Sequence, residues 1–535
     1  MSTGPDRNST RAASRKAAED SAHLVADQSA VAAFLEDPAT HGGQPVERID
    51  THAAMVFLAG ARAYKIKRAV KFPYMDFSTL ARRKWACERE IELNRRTAPS
   101  LYLGAFPITR TGDGRLALGG EGEAIEWAVE MQRFDQAALF DKLAHAGALT
   151  ARLMTELADT IVRFHALADP LDPETAPHAG AAGLRWVLEE TLDEFGERPD
   201  LFAASDVDGL AHASRAQLSK TEARLDERLR QGFVRRCHGD LHLRNICLVD
   251  GAPTLFDCIE FNDTLACIDV LYDLAFLLMD LDHRGLRPLA NLVLNRYLQR
   301  TGDLSGLGVL PLFLAARTLI RAKVSASAEA SQDEANRRRE LRDEARAYFR
   351  RAAAYLTPSP PCMIAIGGLS GTGKTTLARR LAPSFGAAPG AVHLRSDVIR
   401  KELWGAGELD RLPQEAYAPE MSDRVYATIL ARAEEVLAGG YAVVADAVYA
   451  KPRERDDLDG LARRLDIPFR GLWLSARADR LIERVEQRTD DASDATEAVV
   501  RRQLGYDTGP IRWQRLDAAG TELQVLEAAQ AVLEV

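Results

Sequence analysis

The chain has 535 residues, 46% hydrophobic and 27% charged, enough for two or three globular domains. Its net charge of −9 at pH 7 argues against broad non-specific nucleic-acid binding and leaves room for a local basic pocket. No apolar run reaches the roughly 18 residues of a membrane span, and the polar amino-terminal stretch lacks a signal-peptide core, so a cytoplasmic protein with no membrane partner is expected.

Residues 1–24 are rich in Ser, Ala, Arg and Asp with few large apolar side chains, a disordered composition. The chain is divided as a tail at 1–30, a first domain at 31–357 and a second at 358–535. Met55–Leu58 and Ala63–Lys67 read as a hairpin turning at Ala59-Gly60-Ala61. Lys65 and Lys67 are two residues apart, so they share one face of that strand. A helix is predicted from Thr79 to Thr97, carrying Glu88, Glu90 and Glu92. Trp127–Met131 reads as a strand.

His238-Gly-Asp240-Leu-His-Leu-Arg-Asn245 follows, an Asp with an Asn five residues later. Thr254-Leu-Phe-Asp257 is an apolar strand end presenting a second acid. Cys267–Leu278 reads as a helix with Asp269 and Asp273 one turn apart. Residues 310–356 look helical, and Thr357-Pro-Ser-Pro-Pro361 then breaks the chain at its clearest boundary.

Those spacings resemble the aminoglycoside phosphotransferase and choline kinase family, which replaces the protein-kinase H-R-D with H-G-D. The resemblance implies a bilobal protein-kinase-like fold of the α+β class that uses ATP and Mg²⁺. It implies Asp240 as the base taking the acceptor's proton, with Asn245 and Asp257 as metal ligands. It implies that Lys65, with Lys67 as rival, holds the ATP phosphates and that Glu90 pairs with it. One of Asp269 and Asp273 is implied to support the catalytic loop. Thr51-His-Ala-Ala54 stands where protein kinases carry a Gly-rich loop, a departure shared with that family. A small molecule bearing a hydroxyl is the implied acceptor.

Past the break, Cys362–Gly367 is a buried strand, and Gly368-Leu-Ser-Gly-Thr-Gly-Lys-Thr375 fills all eight positions of a phosphate loop. Strand, Gly-rich turn and helix are the context that motif needs, because small residues bring backbone N–H groups to phosphate at a helix N-terminus. Gly368, Ser370, Gly371, Thr372, Gly373, Lys374, Thr375 and Thr376 are therefore candidate nucleotide ligands, with the Thr375 hydroxyl on Mg²⁺. Further strands are predicted at Ala391–Ser396 (ending in Asp397), at Tyr441–Ala445 (ending in Asp446) and at Phe469–Leu474. A helix is predicted at Ser422–Ala438. Alternation of strand and helix predicts a doubly wound parallel sheet of the α/β class.

This half resembles the zeta-toxin and polynucleotide-kinase branch of P-loop kinases, on Gly368–Thr376, Asp397 with Arg400, and Asp446 followed by Pro452-Arg453. The resemblance implies Asp397 as base, Arg400 as clamp for an anionic small molecule or a nucleic-acid end, and Asp446 as a metal ligand. The bland alternative makes Asp397 a helix N-cap and Arg400 a solvated charge. Arg480, Arg484 and Arg488 recur at four-residue spacing on one helix face. Arg484 and Arg488 suit a basic lid, against the alternative of an ordinary solvated face, and Asp490–Asp494 suits its hinge.

The six cysteines form no C-x-x-C pair, and no His/Cys/acid group has zinc-site spacing, so core thiols in a reducing compartment are expected. No motif speaks to oligomeric state. The reading is a bifunctional ATP-dependent phosphotransferase. Its rivals are a protein in which one domain is a nucleotide switch, and a P-loop ATPase coupled to a small-molecule kinase.

Overall fold

The structure is a computed structural model describing residues 23–72, 74–176, 179–330, 332–487 and 491–534. The chain forms two compact units. The first comprises the chain through Ala203 with Leu225–Leu277 and Ile320–Arg346; the second comprises Ala204–Arg224, Leu278–Leu319 and Ala347 onward.

The first unit begins with β1 (Val46–Asp50), β2 (Ala54–Ala59) and β3 (Arg62–Lys67). A small hairpin of β4 (Lys71–Phe72) and β5 (Met75–Asp76) follows, then β6 (Tyr102–Arg110), β7 (Leu116–Leu118) and β8 (Glu123–Gln132). Six of these strands form an antiparallel sheet in the order β1-β2-β3-β8-β6-β7. Strand alternation sends its apolar side chains to both faces. Phe57, Ile66 and Ala128 pack with the helix Ser29–Glu36 on one face. Ala63, Val129 and Met131 pack with Cys87 and Ile91 of the helix Leu80–Asn94 on the other.

That second helix starts one residue after its predicted start because Thr79 caps it, accepting from the Arg82 N–H at 3.3 Å, and it ends at Asn94, short of the predicted Thr97. Within the stretch assigned to the tail, Val25 N–H donates to Ala69 O at 2.9 Å and a helix already starts at Ser29, so ordered structure begins before residue 31. Thr51–Ala53 forms a short turn joining β1 to β2.

The rest of this unit is helical, with two short ribbons built from β9 (Val234–Arg236), β10 (Ile246–Val249), β11 (Ala252–Leu255) and β12 (Cys267–Asp269). Val270–His283 is one helix, and Asp273 on it is fully buried.

In the second unit β13 (Met363–Gly367), β14 (Val392–Arg395), β15 (Val443–Asp446), β16 (Phe469–Ser475) and β17 (Gln514–Asp517) make a five-stranded sheet, order β14-β15-β13-β16-β17. Every pairing is parallel. Its central strands read as continuous apolar runs because helices cover both faces; β13 and β15 are buried at every position. The helices Leu278–Leu319 of this unit include Arg287–Thr301, whose Asn291 and Asn295 bond to backbone of the β14 segment. All six cysteines are free. Among the described residues no helix is long and apolar enough to cross a membrane.

Candidate active sites

In the first unit, β3 puts Lys65 and Lys67 on the same face, and the helix Leu80–Asn94 delivers Glu90 between them. Lys65 Nζ lies 2.8 Å from one Glu90 oxygen and 2.5 Å from Asp257. Lys67 Nζ lies 2.5 Å from the other Glu90 oxygen and also pairs with Glu260. Lys67 and Glu260 are buried, whereas the Asp257 side chain is 40% exposed. Lys65 therefore faces the open acid and Lys67 the interior, which separates two residues that strand alternation could not tell apart.

The backbone of Asp257 sits at φ 63°, a strained position for a side chain of this kind, and is held from two sides. Its N–H donates to the Tyr102 hydroxyl at 3.1 Å, and the next N–H, of Cys258, donates to Asn94 Oδ1 at 2.8 Å.

The loop at 238–245 is carried by Asp273. Its carboxylate accepts from the His238 N–H at 3.0 Å and the Gly239 N–H at 2.9 Å, with His165 Nε2 at 3.1 Å. Asp269 instead pairs with Arg228, so the supporting acid is Asp273. Gly239 adopts φ 85°, and a Cβ there would come within 3.0 Å of Ile259 and 3.1 Å of the Leu265 carbonyl, which excludes a larger residue. The Asp240 carboxylate accepts from Asn245 Nδ2 at 2.8 Å and lies 3.3 Å from His242 Nε2. With Nδ2 committed, Oδ1 of Asn245 is the atom left to serve a cation.

Burial alone would raise the pKa of both Asp240 and Asp257. His242 and His238 beside Asp240, and Lys65 beside Asp257, hold them below the usual carboxylate range instead.

His165, Cys237 and Asp273 converge within 4.8 Å, a grouping invisible to linear spacing. Asp273 serves the two loop N–H groups, and Cys237 donates to Ile268 O.

In the second unit the phosphate loop leaves β13 and opens the helix Lys374–Leu381. Gly368, Gly371 and Gly373 have φ of 140°, 86° and 86°. A Cβ at Gly371 would lie 2.5 Å from the Leu481 carbonyl, so this glycine is needed for close approach. Thr372 is buried, with its hydroxyl on Leu369 O, and Lys374 Nζ donates to the same carbonyl at 3.1 Å. Gln503 Oε1, from the helix Glu497–Leu504, accepts the Ser370 N–H at 2.8 Å.

The loop residues Ser370–Thr376 line a cavity of about 1090 Å³, together with Asp397, Arg400 and Arg484. Asp397 does not end a strand: β14 stops at Arg395, and Asp397 lies in the first turn of the helix Ser396–Trp404. Nor is it the N-cap, which is Arg395. Arg400 is one turn on. Its guanidinium donates to Ala416 O at 2.8 Å and stacks over the Tyr417 ring at 4.9 Å, so it is a buried, oriented group and not a solvated charge.

Arg484 donates to Gly520 O at 3.0 Å, while Arg480 pairs with Glu483 at 2.5 Å. Arg488 and Asp490 lie outside the described residues. At the end of the stretch expected to serve as a lid hinge, Asp494 accepts from the Leu412 N–H and from the Tyr417 hydroxyl at 2.7 Å. Asp446 is buried at the end of β15, 2.6 Å from His393 Nε2. His393, together with Arg395 and Lys374, outweighs burial and keeps its pKa low.

Glu260, Asn94, Tyr102, Gln503 and His393 escaped sequence reasoning. Only Glu260, three residues past Asp257, carried a local signal.

Folds and sites of this kind define a phosphotransferase class joined to a P-loop kinase class. Residues 78–309 match the model of the phosphotransferase enzyme family, and residues 363–509 match that of an AAA domain. The chain belongs to the family that includes uncharacterized protein Rv2004c of Mycobacterium tuberculosis (strain H37Rv). The two are 31% identical over 485 residues, covering 88% of this chain and 92% of that one. Uncharacterized protein Mb2027c of Mycobacterium bovis matches to the same extent.

Among solved structures, a choline/ethanolamine kinase family protein from Mesorhizobium loti is 14% identical, with a TM-score of 0.38, over 62% of this chain and 98% of that one. A gluconokinase from Sinorhizobium meliloti is 23% identical, with a TM-score of 0.25, over 33% and 93%.

Proposed function

We propose that the protein is a bifunctional ATP-dependent kinase of the cytoplasm, each unit directing the γ-phosphoryl group to a hydroxyl. The observation that supports it is that each compact unit holds its own lysine, candidate base and acids, with no residue shared. In the first unit, Lys65, Asn245 Oδ1 and Asp257 are an ammonium and hard oxygen donors, a set that fits ATP with Mg²⁺. In the second, the glycine-walled loop and Lys374, with Thr375 as the cation's hydroxyl ligand, fit the same pair. ATP with Mg²⁺, when bound, supplies the phosphoryl group and part of the neutralisation of its charge.

Within that reading Lys65 releases Asp257 to hold phosphate oxygens, Glu90 fixes Lys65, and Asp240 takes the acceptor's proton. In the second unit Asp397 takes the proton, Arg400 holds an anionic part of the acceptor, and Arg484 balances charge from the lid helix. Asp446, bonded to His393, joins the metal set when His393 yields. A small-molecule alcohol is the acceptor proposed for the first unit, and an anionic small molecule or nucleic-acid end for the second.

The test is transfer of labelled phosphate from ATP to a metabolite and nucleic-acid library by the full chain, by Asp240→Asn and by Lys374→Ala. Each variant should lose a different set of labelled products. Loss of the same set by both would sink the two-site reading. The contact of Gln503 with the Ser370 N–H favours a second reading, in which the P-loop unit is a nucleotide switch; there Lys374→Ala would remove no product of its own.

A further inference from the structure

A second cavity of the P-loop unit, about 550 Å³, is lined by Arg287, Arg350, Arg351 and Tyr355, by Thr357 and Ser359, and by the loop Gly386–Ala388. No acid lines it. Behind it stands one buried carboxylate, Asp282, 3% exposed. Asp282 accepts from Arg287 Nε at 2.7 Å, Arg351 Nη1 at 2.7 Å and the Tyr355 hydroxyl at 2.6 Å.

Those bonds orient two guanidiniums, Arg351 being in contact with the Tyr355 hydroxyl as well, and leave Nη1 of Arg287 without a hydrogen-bond partner among the described residues. Arg350 is exposed and has no ion-pair partner among the described residues. Three guanidiniums against one carboxylate leave two positive charges uncompensated, in a chain whose net charge is −9. Structural ion pairing would match these charges one to one. That surplus lines a concave space, with two of the three guanidiniums held in place by Asp282, and such an arrangement suits recognition of a compact dianion.

We propose that this cavity binds the phosphate group of a small soluble phosphate monoester, at a site separate from the phosphate loop. Arg287 and Arg351 supply oriented donors and Arg350 closes on the anion from the rim. The cavity's loop follows the phosphate-loop helix in the chain, since Lys374–Leu381 runs through Ala382–Ser384 into Gly386. An occupied site can therefore bear on the position of that helix.

The test is calorimetric titration of the full-length protein with inorganic phosphate and with glycerol 3-phosphate. It uses a Lys374→Ala background, which weakens the phosphate-loop site, and compares Lys374→Ala alone with the same chain carrying Arg350→Glu or Arg350→Lys. Arg350 is exposed, so its replacement leaves the fold intact. Phosphate binding should weaken at least about tenfold with Arg350→Glu, the loss of one charge-assisted contact, and much less with Arg350→Lys. Glycerol 3-phosphate should compete for the same site. Equal phosphate affinity in all three proteins, or no phosphate binding in the Lys374→Ala background at millimolar concentration, overturns the site. Phosphate binding that the ester cannot displace overturns the monoester assignment.

Discussion

Lys65 Nζ lies 2.5 Å from Asp257, the candidate metal ligand, while its neighbour on the same strand face, Lys67, pairs inward with Glu260. The two lysines share Glu90 but not a role. Lys65→Met should lower first-unit transfer by about 10²–10³, the effect of removing one electrostatic contact to the transferring group, and should cost less stability than Lys67→Met because one of its two acids, Asp257, is 40% exposed. Lys67→Met leaves Glu90 and Glu260 buried with less compensation and should cost about 3–5 kcal/mol of stability. Thermal melts and kcat/KM for ATP on both variants check this; the opposite pattern would make Lys67 the phosphate ligand.

Asp273 carries the loop at 238–245 through two backbone N–H bonds, and Gly239 has no room for a side chain. Asp273→Ala should abolish first-unit transfer and lower the melting temperature. Gly239→Ala should cost about 1–3 kcal/mol through its left-handed backbone and the contact with Ile259. Denaturant melts measure both. An unperturbed Gly239→Ala protein would mean that the loop readily relaxes.

What the chain made legible was what repeats locally. The eight-position phosphate loop, the H-G-D spacing and the alternation that pairs Lys65 with Lys67 depend on neighbours in sequence; the helix expected over Cys267–Leu278 instead starts at Val270, because Cys267–Asp269 pairs as β12 with the distant β9 and takes Asp269 out of the helix. Asp397 moved from a strand end to the first turn of a helix because β14 stops at Arg395, which is also the helix N-cap. The partners of those residues were not legible. Asn94, Tyr102 and His393 each act through one bond to a residue more than fifty positions away, and single Asn, Tyr and His residues carry no periodic signal.

Asp240 and Asp257 both have lowered pKa values in the folded chain. A lowered carboxylate contributes stability that is present above its unfolded pKa, near 3.8, and lost as pH falls through its folded value. Both groups therefore remain ionised throughout pH 5–8. The first unit's kcat should show no acid limb from Asp240 in that range, and Asp240→Asn should make the fold less sensitive to acid below about pH 4. A kcat limb between pH 5 and 7 that disappears in Asp240→Asn with its residual activity retained would contradict the assignment.

Gln503 places a neutral oxygen on the Ser370 N–H of the phosphate loop. If nucleotide takes that N–H, the side chain competes with it. Gln503→Ala should tighten nucleotide binding to the second unit several-fold, the scale of one hydrogen bond of about 1 kcal/mol. Gln503→Glu should weaken it, because a carboxylate repels the phosphates. Titration with a fluorescent ATP analogue in an Asp257→Asn background isolates the second site. Identical affinities for all three proteins would show that Gln503 stays in place beside bound nucleotide.

The second unit's sheet ends at β14, an edge strand whose outer backbone groups would otherwise be unpaired. The helix Arg287–Thr301 meets that need with two amides. Ala391 O accepts from Asn291 Nδ2 at 3.0 Å and from Asn295 Nδ2 at 3.2 Å, and the His393 N–H donates to Asn295 Oδ1 at 2.7 Å. His393 in turn bonds to Asp446, so the edge amides set the strand that carries the partner of a candidate metal ligand. The Pro-rich break at 357–361 would place the boundary of the P-loop domain after this helix. A fragment of residues 359–535 should still bind ATP, since all its phosphate-loop residues are present. A fragment of residues 278–535 should melt higher, because each buried backbone group left without a partner costs about 1–3 kcal/mol. Asn291→Ala with Asn295→Ala in the longer fragment should remove most of the difference. Equal melting temperatures for the two unmutated fragments would show that water satisfies the β14 edge as well as the amides do, and that the domain begins at the proline break.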